Sequence, residues 1–225
     1  MKSSSILIMA LAAGALGAQE APNLDGRIQL FAEMSRPTQI TLQAPDLQDQ
    51  PKRATGFGVR FMGEVASAPG WYYELGGMFD ADSHFTFNGT TSPGNTLDMT
   101  DVKFTTSYWS LGAAYMGKVS DKLTWGLHLE ARGEYLRIQG EAVKNGAAFP
   151  QDQATTYLRP WLRGSFDYTF TNIGATKHPY VGLEGSFAIL KTYQTQAPDL
   201  ANFDNRNLKA LAPRASAALY AGLRF

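Results

Sequence analysis

Cysteine is absent from this 225-residue chain, which excludes disulfide staples, thiolate metal sites and thiol nucleophiles without fixing a compartment. An excess of either charge is also missing. The 20 basic and 20 acidic residues cancel, so no concentrated positive field rewards a nucleic-acid partner, and none is expected. Long apolar runs are missing too, because nothing beyond the first 18 residues approaches the ~20 apolar residues that a membrane-crossing helix needs. What remains is 44% hydrophobic and 18% charged, enough for one domain of ordinary size.

The opening MKSSSILIMALAAGALGAQ combines Lys2, an apolar run from Ile6 to Leu16, and small residues at Gly17 and Ala18. This is the layout of a cleaved export signal. Residues 1–18 are expected to be a signal peptide and residues 19–225 the mature domain.

After it the hydrophobic pattern has period two rather than 3.6, in eight segments separated by turn-rich stretches. They run approximately 26–35, 56–65, 70–80, 105–117, 123–136, 157–170, 180–190 and 214–225. Each is near the ~9–11 residues that a tilted strand needs to cross a bilayer.

Charge position decides whether such a barrel is soluble or membrane-borne, since soluble barrels turn apolar side chains inward and membrane barrels turn them toward lipid. In WGLHLEARGEY one face carries Trp125, Leu127, Leu129, Ala131, Gly133 and Tyr135, and the other Gly126, His128, Glu130, Arg132 and Glu134. RPWLRGSFDYTF separates Leu158, Leu162, Phe166, Tyr168 and Phe170 from Arg159, Trp161, Arg163 and Asp167. The segments together hold Arg27, Arg60, Arg132, Arg159, Arg163, Arg214 and Arg224 against Glu33, Glu64, Glu74, Glu130, Glu134, Asp167 and Glu184, all opposite the apolar face. With His128 these form a candidate lumen network of bidentate arginine–carboxylate pairs. The cations are all Arg and none Lys, which suits a packed interior because the planar guanidinium is less strongly hydrated than an ammonium.

Aromatic residues collect at strand ends, Trp71, Tyr73, Trp125, Tyr168, Phe170 and Phe225 at one and Phe57, Phe79, Trp109 and Tyr135 at the other. Two such girdles flank a lipid-facing band. Connections alternate in length: VASAPG, GKVSDK and TNIGATKHP are short, and 36–55, 81–104, 137–156 and 191–213 are long. The long ones are expected outside the cell and the short turns in the periplasm. NGT at Asn88 reads as turn chemistry. Pro160, unable to donate to a ladder, is expected to mark a bulge near the outer rim.

The whole mature chain resembles the small eight-stranded outer-membrane barrels of the OmpA/OmpX type, with the OmpW-like group as a neighbour. Its last residues, ALYAGLRF, resemble the C-terminal strand signal read by the barrel-assembly machinery, with Leu219, Ala221, Leu223 and Phe225 toward lipid. Leu223 stands where that family usually has a second aromatic. The resemblance implies an all-β, antiparallel up-and-down transmembrane barrel of eight strands in the outer membrane of a Gram-negative-type bacterium. Its partners would be membrane lipid, the assembly machinery and an extracellular ligand met through loops.

An eight-stranded barrel is just wide enough to be filled by side chains. A non-enzymatic role in envelope structure or surface interaction, without cofactor or metal, is therefore expected. A narrow path for small or apolar solutes is the alternative, which Gly182, Ser186 and Ala188 would permit. An outer-membrane hydrolase would need a constellation, for which the candidates are Asp80, Asp82, Ser83 and His84, or His128 beside Glu130; His178 reads as a turn residue.

Overall fold

The computed structural model describes residues 25–35, 54–91, 95–170, 177–190 and 212–225. The proposed signal peptide at 1–18, and most of the connections at 36–55 and 191–213, lie outside the described residues. Eight strands follow one another: β1 (Gly26–Ser35), β2 (Ala54–Glu64), β3 (Trp71–Thr91), β4 (Asn95–Lys118), β5 (Leu123–Lys144), β6 (Ala147–Thr169), β7 (His178–Ala188) and β8 (Ala215–Arg224). Each pairs antiparallel with its neighbour, and β1 pairs with β8 to close the barrel.

The pleat sends successive side chains to opposite faces, and here the faces differ in chemistry. Leu30, Phe57, Leu129 and Leu219 are 56–70% exposed on the outer wall, while Arg60, Arg132 and Arg163 on the inner wall are at most 1% exposed. Both expected girdles lie on the outside, with Trp71, Tyr73, Trp125, Tyr168, Phe170 and Phe225 at the short-turn rim and Phe57, Phe79 and Trp109 at the other. Ten residue steps along β5 separate Trp125 from Tyr135. At ~3.3 Å per residue and a tilt of roughly 40°, they rise about 25 Å, the height of an apolar membrane band.

Strands β3 to β6 do not stop there. The connections expected at 81–104 and 137–156 are strand continuations, with β4 and β5 paired out to Leu97 and Lys144 and β5 and β6 out to Lys144 and Ala147. Asn145 and Gly146, both at positive φ (50° and 78°), make the tight hairpin turn between β5 and β6, the type that Asn-Gly favours. Past the girdle the two faces exchange character. Inward positions on β4 and β5 become apolar at Val102, Phe104, Leu136 and Ile138, all buried, with Phe104 opposite Ile138. The outward positions carry Arg137, Asp152 and Thr156 instead of Leu and Trp. In β3 the exchange coincides with a register shift between Met78 and Ala81, which leaves Phe79 and Asp80 both exposed. Asn88 lies within β3, opposite Asp98.

Pro160 makes no bulge. It pairs with Ala131 in an unbroken β5–β6 ladder, and its carbonyl accepts the Ile189 N–H on the β7 side, just past the last paired residues Trp161 and Ala188. A strand residue presents its N–H and C=O to the same side. The donor that Pro160 lacks therefore faces Ile189 at the end of the β6–β7 ladder, where a single terminal bond is forgone, and by parity the donor that Pro150 lacks points to the edge of β6 beyond β7.

Register is pinned by aromatic rings laid over directly opposed glycines. Tyr73 faces Gly63, Trp109 faces Gly133 and Trp125 faces Gly117 on the outer wall, and Phe31 faces Gly58 inside. A Cβ at Gly133 would lie 2.1 Å from the Trp109 ring, whereas at Gly164 it would meet nothing within 4 Å. Gly133→Ala is expected to cost about 1–3 kcal/mol through overpacking, with Gly164→Ala leaving stability unchanged. Urea unfolding of the two variants checks this, and equal midpoints would contradict the ring-on-glycine register.

Candidate functional site

The inner wall brings together residues from all eight strands. Among the described residues five guanidiniums, Arg27, Arg60, Arg132, Arg159 and Arg163, and seven carboxylates, Asp25, Glu33, Glu74, Glu130, Glu134, Asp167 and Glu184, are buried. Every one of those carboxylates has an arginine partner.

At the short-turn end Arg27 bridges Asp25 (3.0 Å) and Asp167 (3.2 Å), and the Tyr72 hydroxyl donates to Asp25 at 2.5 Å. Mid-barrel, Arg60 donates both terminal nitrogens to Glu184 (2.9 and 3.1 Å) and one also to Gln29 (2.9 Å). Arg163 reaches Glu74 (2.7 Å), Glu130 (3.4 Å) and Glu184 (3.4 Å). Higher up, Arg132 joins Glu130 (2.6 Å) to Glu33 (3.2 Å), and the Tyr108 hydroxyl donates to Glu33 at 2.6 Å. At the top Glu134 accepts from Arg159, the Tyr157 hydroxyl and the Trp161 indole N–H, at 2.5–3.0 Å. Rings fill the space between ions, with the Arg132 guanidinium 4.2 Å from the Tyr108 centroid and 4.3 Å from that of Trp161. Such packing suits a weakly hydrated planar cation.

Three sequence expectations change. Arg214 is exposed ahead of β8, outside the network, because its strand begins one residue later. Glu64 is half-buried and serves a turn, accepting the backbone N–H of Gly70 (2.9 Å) and Asp25 (3.2 Å). Asp25, one residue ahead of β1, takes a place in the network instead, and also holds the less buried Arg224 at 2.8 Å.

A lumen charged inside a wall of exposed Leu, Phe and Trp inverts a water-soluble barrel. The fold is that of a small eight-stranded outer-membrane barrel. No family model and no curated protein sequence matches the chain. Among solved structures, Ail, the attachment invasion locus protein of Yersinia pestis, is similar at 11% identity and a TM-score of 0.45, covering 89% of this chain and 98% of that one. Neisserial surface protein A is similar at 10% identity and a TM-score of 0.41 (92% and 98%), and OprG of Pseudomonas aeruginosa at 11% and 0.42 (89% and 95%).

Of the candidate constellations, that in β3 does not assemble. Asp82 and His84 point outward to separate partners, Lys103 (2.8 Å) and Asp101 (2.8 Å), while Ser83 is buried on the opposite face and Asp80 is exposed at the register shift. His128 takes Glu74 of β3 as its carboxylate partner rather than neighbouring Glu130, with Nδ1 at 2.9 Å from Glu74 and Nε2 at 2.9 Å from the Ser165 hydroxyl. Arg163 Nη2 lies 2.7 Å from the same Glu74 oxygen. Arg163 Nη2 also lies 2.7 Å from His128 Nδ1, so arginine, histidine and glutamate meet at one point, with Ser165 on the opposite ring nitrogen. The order serine, histidine, glutamate is that of a nucleophilic triad, but Ser165 and His128 are 3% and 1% exposed within the packed lumen. The three form a buried hydrogen-bond chain between β3, β5 and β6.

Among the described residues the exposed ion pairs lie on the extended sheet. Arg137 binds Asp152 through two bonds of 2.8 and 2.9 Å, and this holds the Asp152 carboxyl below its ordinary pKa. Buried and exposed pairs differ sharply in what breaking them costs. Arg163→Ala leaves Glu74 without an arginine and removes one of two from Glu130 and Glu184, and is expected to destabilise the barrel by about 3–5 kcal/mol, whereas Arg137→Ala leaves a solvated aspartate and no measurable change. Urea titration of both variants tests this, and equal effects would contradict the lumen network.

Proposed function

We propose that the protein is a non-enzymatic barrel of the outer membrane of a Gram-negative-type bacterium, serving envelope structure or surface interaction. In this reading the short turns face the periplasm and the β3–β6 sheet stands outside the cell. The observation that carries it is the filled lumen: Arg60, Arg132, Arg159, Arg163 and Trp161, each at most 2% exposed, occupy the interior, and the pairs Arg60–Glu184, Arg132–Glu33 and Arg163–Glu74 join strands that are not neighbours. A barrel so plugged is rigid, and its variable chemistry lies on the tall sheet. Beyond Met78 on β3, and before Trp161 on β6, the outer edges of that sheet have no partner strand among the described residues. Open edges are surfaces on which other chains pair.

Membrane lipid is the partner of the outer wall in this reading. The assembly machinery is the partner of the closing strand, where Leu219, Ala221, Leu223 and Phe225 are exposed and Phe225 exchanges backbone bonds with Gly26 at 2.9 and 3.0 Å. The alternative solute path through Gly182 and Ser186 is disfavoured by Tyr220, whose ring lies over Gly182, and by the Arg132 contact to Ser186 at 3.3 Å. In planar bilayers the purified protein is expected to show no steady conductance. Large, stable porin-like steps would overturn the plugged-barrel reading in favour of transport.

A further inference from the structure

The two open edges of the tall sheet are not equivalent. Along β6 the backbone donor is missing at Pro160, where the free edge begins, and again at Pro150 within it, and prolines on an edge keep another strand from adding there. β3 has no proline from Trp71 to Thr91. Between its two register shifts it runs regularly over Ala81–Phe85, paired on the β4 side with Thr106–Val102. The charges differ as well. From Phe79 to Phe104 the chain carries Asp80, Asp82, Asp98 and Asp101 against Lys103, whereas from Arg137 to Thr156 Arg137 and Lys144 balance Glu141 and Asp152. Lys103 holds Asp82 and His84 holds Asp101, each at 2.8 Å, while Asp80 and Asp98 are exposed without an ion pair among the described residues. On the inner face of the same stretch Ser83 is 3% exposed, and its hydroxyl has no hydrogen-bond partner.

We propose that the free edge of β3 over Ala81–Phe85 receives an extended, lysine- or arginine-rich segment of a partner protein as an added strand. The inference rests on the surface-interaction reading above and assigns it one edge and one kind of partner. Main-chain bonds along the edge supply affinity, and alternate side chains of the added strand supply specificity. Those on the outer face stand beside Asp80 and Asp82, where a cation meets the uncompensated carboxylates. Those on the inner face stand beside Ser83, where a Thr or Ser gives the buried hydroxyl its cross-strand bond. The fitting sequence therefore alternates a basic residue with a small hydroxyl residue.

A fluorescein-labelled peptide of alternating Lys and Thr tests this by anisotropy against the purified full chain in detergent at low salt. It is expected to bind, and an alternating Glu-Thr peptide is not. Methylating alternate backbone nitrogens of the Lys-Thr peptide, which keeps its charge but removes one row of donors, should weaken binding about tenfold. Asp80→Asn with Asp82→Asn should weaken it about fivefold, and Glu141→Gln on the β5–β6 hairpin should leave it unchanged. No binding by the Lys-Thr peptide, or equal binding by its methylated form, would overturn the edge site, the second result showing charge attraction alone. Binding to the purified protein but not to intact cells displaying it would uphold the edge site and overturn the placement of the sheet outside the cell.

Discussion

An ion removed from water must be given its counter-ion, and in a cylinder of eight strands this requirement fixes almost everything else. The interior has room for side chains but little for bulk solvent, and an unpartnered guanidinium there carries a desolvation penalty of several kcal/mol. Arg163 answers it with three carboxylates from three strands, and Glu134 by accepting from Arg159, Tyr157 and Trp161. Because the partners come from different strands, the pairs also fix the strands' relative positions. A one-residue slip would turn each arginine into hydrocarbon and each leucine into the lumen.

The same constraint explains why the faces exchange roles along β3 to β6. Within the band the outside meets hydrocarbon, so apolar side chains face out and ions face in. Above the girdle the outside meets water, and Leu136 and Ile138 turn inward on the parity that Glu130 and Glu134 occupy lower down. The backbone does not change; only the solvent does. In the membrane-embedded reading the boundary then lies near Tyr135 on β5 and Leu158 on β6.

Much of this was legible in period two alone. Alternation in WGLHLEARGEY assigns Glu130, Arg132 and Glu134 to one wall, and the preference for Arg over Lys marks that wall as packed. The upper halves of the long strands were not legible, because exchanging polar and apolar faces removes the contrast on which alternation is read, and 137–144 then looks like a loop. Asn145-Gly146 was the signal available there. Pairings were hidden for a different reason: that His128 meets Glu74 rather than Glu130 depends on register across β3, β4 and β5. Arg214 and Asp25 sit one residue outside their strands, where parity no longer tells lumen from rim.

The polarity of the wall is tested most directly by spin labels in this cysteine-free chain, scanned singly along β5 in lipid bilayers. Labels at Leu127 and Leu129 are expected to collide freely with oxygen and hardly at all with a water-soluble nickel complex, and labels at Arg137 and Gln139 should show the reverse. Water-like accessibility at Leu127 and Leu129 would contradict the account.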